Sequence, residues 1–143
     1  MKFKYWIYRI LILIFTATIG FHILILFGAI PYSMVWGGRL TSWTSMLVFE
    51  LFSLILNSYF LFVMVCKAGI LKTNVPPVLL SISCWIMGAL FLFNTLGNAF
   101  SLDETERIIF TPITAVLCVL CFLVAPKNDS SSTPNTPINH GHK

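Results

Sequence analysis

The sequence predicts an all-α membrane protein, a bundle of four transmembrane helices with both termini in the cytoplasm. Three observations lead there. Hydrophobic residues make up 57% of the 143 and charged residues only 10%, against roughly 25% charged in an ordinary soluble domain. Four apolar stretches, at 7–30, 46–66, 77–98 and 107–125, each reach the ~17–25 residues that cross a bilayer as a helix. With four crossings, Lys2, Lys4, Arg9, Lys67, Lys72, Lys127 and Lys143 fall on one side and only Arg39 and Arg107 on the other. Seven against two satisfies the positive-inside rule with the termini, the second connector and the tail inside the cell. The net charge of +4 is thus explained by membrane topology, with the bilayer as partner, and gives no ground for a nucleic-acid partner. The connectors are too short for a soluble domain, so residues 1–125 form one membrane domain and 126–143 a tail.

The first helix begins behind Lys2, Lys4 and Arg9 and is anchored by Tyr5, Trp6 and Tyr8, aromatic residues suited to headgroup depth. Its apolar run is too long for the core of a signal peptide, and FGAIPYS has no clear small-residue cleavage site. Thr18 and His22 are four apart and share a face, and Pro31 is the expected stop. The connector that follows, PYSMVWGGRLTSW, brings Trp36 and Arg39 beside Gly37 and Gly38. It lacks the spacing and terminal Lys of a phosphate loop.

The second helix opens at a Ser/Thr cluster in which Ser42, Thr44 or Ser45 could cap it. Glu50, Ser53 and Asn57 then fall at i, i+3 and i+7 on one stripe. An ionised acid within a spanning helix costs about 2.5–3.5 kcal/mol at its centre, so Glu50 needs a partner, a proton or a water-filled pocket. Asn57, near mid-membrane, is expected to hydrogen-bond across helices. The third helix begins at Pro76 and Pro77 and carries Ser81, Cys84 and Gly88 on a small-residue face for close helix contact. Its outer end holds Asn94, Thr95 and Asn98; the acidic run Asp103, Glu104 and Glu106 leads into the fourth helix, with Thr111, Pro112 and Thr114 near its start. After Ala125 the Pro- and Ser/Thr-rich tail is expected to be disordered.

At about 1.5 Å per residue, Glu50, Asn94, Thr111 and Thr114 fall at similar depth below the outer surface, with His22 and Ser53 about a turn deeper. The expectation is a polar chamber open to the outer leaflet, built by His22, Glu50, Ser53, Asn57, Asn94, Asn98, Thr111 and Thr114, with Trp36 and Arg39 at its rim. It would hold a small apolar or amphipathic molecule or a lipid. A packing role, fixing helix register, is the competing reading for the asparagines and threonines taken singly. Glu50 beside His22 could exchange protons, as general acid/base work requires, but one pair defines no reaction; the chain is read as leaning away from an enzyme, with an isomerase-type activity left open on these two residues alone. The pair defines no metal site either, for which about three or four ligands are needed, and no cofactor is expected. Cys118 and Cys121 form a C-x-x-C in the inner half of the fourth helix, the wrong side for quinone-linked disulfide formation, and read as packing residues. His140 and His142 lie in the solvated tail.

The order IPYSMVWGGR, FELFSLILN, LFNTLGNAFS and TPIT resembles a set of small, uncharacterised four-helix integral proteins of the bacterial inner membrane, a group without an assigned activity. A second, weaker similarity, to the sterol isomerase and sigma-2 receptor group, rests on His22, Phe49 with Glu50, and Pro112. Two further function classes stay open: an accessory subunit docking a membrane protein partner through its polar stripe, and a small proton-coupled transporter. No internal repeat supports an inverted-repeat carrier.

Overall fold

The computed structural model describes residues 2–32, 36, 40, 42–101, 104 and 106–126. Four helices run in alternating directions: α1 (Lys2–Leu26), α2 (Trp43–Lys67), α3 (Pro77–Ala99) and α4 (Thr111–Val124), the last entered through a π-helical turn, Glu106–Phe110. Each of the four, α4 counted with its entry turn, is long and apolar enough to cross a membrane. The predicted tail, with His140 and His142, lies outside the described residues.

Local chemistry sets the boundaries. The first helix starts earlier than its apolar run, taking Lys4 and Arg9 into its first turns, where the Arg9 guanidinium lies 4.6 Å from the Tyr5 ring centre. It stops at Leu26, short of Pro31, because Gly28 turns left-handed at φ +73. The Gly28 amide then donates to the Ile25 carbonyl and the Ala29 amide to that of Leu24, the paired bonds of a glycine-terminated helix. Gly69 ends α2 in the same way. Ser42 begins α2, its hydroxyl accepting from the Ser45 amide at 3.1 Å. Ser42→Ala is expected to lose about 1 kcal/mol of stability, read as a lower midpoint of detergent-induced unfolding; an unchanged midpoint would remove the cap from the account. Pro112, which has no amide proton, stands two residues beyond the π-helical turn, so the carbonyl one turn before it lacks its helical partner.

Packing is most extensive within two hairpins, α1 against α2 and α3 against α4, and sparser between them. The joint between hairpins is aromatic: the rings of Phe15, Phe60 and Phe91 meet at 5.7, 6.0 and 5.9 Å between centres, one each from α1, α2 and α3. Nearby, the Tyr59 hydroxyl bonds Ser83 Oγ at 2.6 Å, and Ser83 passes its own proton to the Leu79 carbonyl. Within the second hairpin Gly88 lies against the Phe122 ring, so the predicted small-residue face does make the close contact. Cys84, Cys118 and Cys121 are buried free thiols in this packing.

Candidate functional site

Glu50 is the only acidic residue buried among the described residues. It stands seven residues into α2, about 10 Å from that helix's start, and His22 stands four residues before the end of α1, about 6 Å in. Because the two helices are antiparallel, these positions come level. His22 Nδ1 lies 2.6 Å from Glu50 Oε2, and Trp36 Nε1 donates to Glu50 Oε1 at 2.9 Å. An indole nitrogen can only donate, which fixes Oε1 as an acceptor. Both carboxylate oxygens are therefore satisfied with no exposure to solvent, which answers the cost of placing an acid in an apolar helix. The contact to His22 is a short hydrogen bond between carboxyl group and imidazole. His22 keeps 12% of its side-chain surface exposed, so the imidazole is the accessible member of the pair.

Trp36 is more than a rim residue. Its backbone sits in the left-handed region at φ +57, a conformation that costs a non-glycine residue about 1–3 kcal/mol. The bond to Glu50 and the face of Phe49, 5.0 Å from the indole, hold it there. Arg39, the other predicted rim residue, lies outside the described residues.

The remaining candidates divide. Ser53 is buried one turn further along α2, and Asn57 Nδ2 donates to the Ser53 carbonyl at 2.8 Å. The expected cross-helix bond of Asn57 is replaced by one within its own helix, since a carboxamide one turn along reaches that carbonyl without leaving α2. Across the bundle, Thr114 receives Thr95 Oγ1 at 3.0 Å and Asn98 Nδ2 at 3.5 Å, and bonds back to the Phe110 and Thr111 carbonyls. Thr111 Oγ1 is buried without a partner one turn away. Asn94 is exposed on the outer surface of α3 and does not join the group. Seven of the eight predicted residues thus fall into two arrangements, one in each hairpin, rather than one continuous lining, and Asn94 stands outside both. Thr95 and Lys67 carry polar contacts that the sequence reading did not single out. Thr95 sits one residue from Asn94, but only the azimuth of α4 selects it.

An open cavity of about 500 Å³ lies beyond the His22–Glu50 pair, at the end of the bundle away from the termini. Ile25, Leu26, Phe27, Pro31, Trp43 and Met46 are among its walls. Ile25 and Leu26 follow His22 by about one turn, and Met46 precedes Glu50 by about one turn. Ile25 and Met46, which line the cavity, pack with Leu40 in one buried cluster about a turn from His22 and Glu50. Among the described residues no cluster of His, Cys, Asp and Glu suits a metal ion. No protein family, no curated protein and no solved structure was found to match the chain.

Proposed function

We propose that this chain is a multi-pass membrane protein, its termini cytoplasmic, that binds a small apolar or amphipathic molecule from the outer leaflet. One observation carries the reading: an open cavity of about 500 Å³, with mainly apolar side chains in its walls, lies about one helical turn from a fully buried carboxyl group held by His22 and Trp36. That volume falls in the ~300–1,000 Å³ range of small-molecule sites, which join apolar walls to a few fixed polar groups. In this arrangement the apolar body of the ligand fills the cavity. Its polar end reaches past Ile25 and Met46 toward the exposed edge of His22, and Glu50 orients the ring. The threonine group of α3 and α4 serves mainly to lock the second hairpin.

Native mass spectrometry of gently purified protein tests this directly. The wild type retains a small molecule; Met46→Trp, which fills the cavity, and Glu50→Gln, which alters the pair, each release it while the protein stays folded. A wild type that is empty, or a Met46→Trp variant that keeps its adduct, would contradict the proposal.

The 2.6 Å contact between Glu50 and His22, two side chains able to exchange protons, favours a second reading, in which ligand movement is coupled to proton movement. Vesicles loaded with a pH dye would then change colour on ligand addition with wild type but not with Glu50→Gln; binding without a dye response leaves the first reading alone.

A further inference from the structure

We propose that the end of the bundle carrying the termini binds the phosphate headgroup of an anionic lipid between Lys67 and Lys4. Lys67 is the last residue of α2, and its side chain folds inward to 9% exposure instead of extending to the surface. Its ammonium donates to Ser81 Oγ at 3.3 Å and to the Ala125 carbonyl at 3.4 Å. Both acceptors are neutral and both contacts are longer than the ~2.7–3.2 Å of a good N–H···O bond. A buried cation ordinarily has an anion beside it. Here the described residues bring no carboxylate beside it; the fields of other helices that reach Lys67 are those of the Cys84 thiol of α3 and of a second basic residue, Lys4 of α1.

The rest of the chain supplies no such anion among the described residues. Glu50 and Glu104 lie in the opposite half, as do Asp103 and Glu106 in sequence, and Asp129 follows the last helix outside the described residues. The ends of α2, α3 and α4 converge at this point, through Lys67, Ser81 and Ala125, and Lys4 of α1 is within reach of the Lys67 charge. An ammonium has three protons, so Lys67 has one left for a ligand after Ser81 and Ala125. The surroundings favour a lipid over a free ion. Tyr5, Trp6, Ile70 and Leu71 are exposed around the same end, aromatic and aliphatic side chains of the kind that lie at headgroup and upper acyl depth. Basic pockets between membrane helices on the cytoplasmic side bind anionic headgroups by the same physics.

The test uses the full chain in phosphatidylcholine nanodiscs, with phosphatidylglycerol added and retention read by native mass spectrometry. Wild type retains phosphatidylglycerol selectively. Lys67→Gln and Lys4→Gln each weaken retention by about fivefold, the equivalent of one lysine near a charged surface. Lys67→Arg keeps it, which separates lost charge from lost fold, and Lys72→Gln, at an exposed lysine of the same end, leaves it unchanged. Equal retention of the two lipids overturns the proposal. So does a Lys72→Gln loss as large as that of Lys67→Gln, which assigns the effect to diffuse surface charge. Displacement by inorganic phosphate would make the ligand a free anion, and stronger retention in Asp129→Asn would make the tail the natural occupant; either result also overturns it.

Discussion

Glu50→Ala is expected to destabilise the protein by about 3–5 kcal/mol, the size of loss seen when one partner of a buried, hydrogen-bonded carboxyl pair is removed. Polar contacts between membrane helices average well below this, about 0.6 kcal/mol, but three losses coincide here. Trp36 loses the acceptor that holds its left-handed backbone, His22 loses the partner of Nδ1, and a fully buried side chain leaves a void between α1 and α2. Each buried donor left without an acceptor costs about 1–3 kcal/mol. Glu50→Gln separates shape from charge. Its amide oxygen still accepts from Trp36 and its nitrogen can donate to a neutral imidazole, so the expected loss is about 1 kcal/mol while ligand retention is abolished. Unfolding titrations in mixed detergent micelles measure both. If the alanine variant matched the wild type, the pair could not be what holds the hairpin's far end together.

Gly88→Ala is expected to cost about 1–3 kcal/mol, the usual penalty for overpacking a well-filled core. A Cβ built on Gly88 would stand 2.4 Å from a ring carbon of Phe122, well inside van der Waals contact. Trp85, whose ring centre lies 5.3 Å from that of Phe122, opposes movement of the ring on that side. The double variant Gly88→Ala with Phe122→Leu should therefore recover much of the loss, a strong departure from additivity of the kind contacting residues show. Additive losses in the two single variants would place the strain elsewhere.

The helices were legible because length and hydropathy alone make them, and α3 begins at the residue where its prolines put it. The boundary of α1 was misplaced for a physical reason. Pro31 is the louder signal, but Gly28 already supplies the left-handed turn that ends a helix. In the site, depth put His22 within about a turn of Glu50, and the two come level because α1 ends at Leu26 and not at Pro31. Depth says nothing of azimuth, however. That is why Asn94 faces outward while Thr95 meets Thr114, and why Asn57 turns back on Ser53. Lys67 gave no signal: a lysine at a helix end usually extends to the surface, and only the packing of α3 and α4 around it shows that it bends inward.

The division into hairpins bears on how the chain is made. The dominant contacts of α1 are with its immediate successor, and those of α3 likewise, so the loops that must close are short. The first pair of helices, with the Glu50 carboxyl group already hydrogen-bonded by His22 and Trp36, can assemble while residues beyond 77 are still being synthesised. No exposed carboxylate has to wait in the lipid for a partner from the second half. The ring contacts of Phe91 and the bonds of Lys67 to Ser81 and Ala125 then come last, as a latch between two finished halves. Selection on the first half can thus be read as selection for safe insertion as well as for binding.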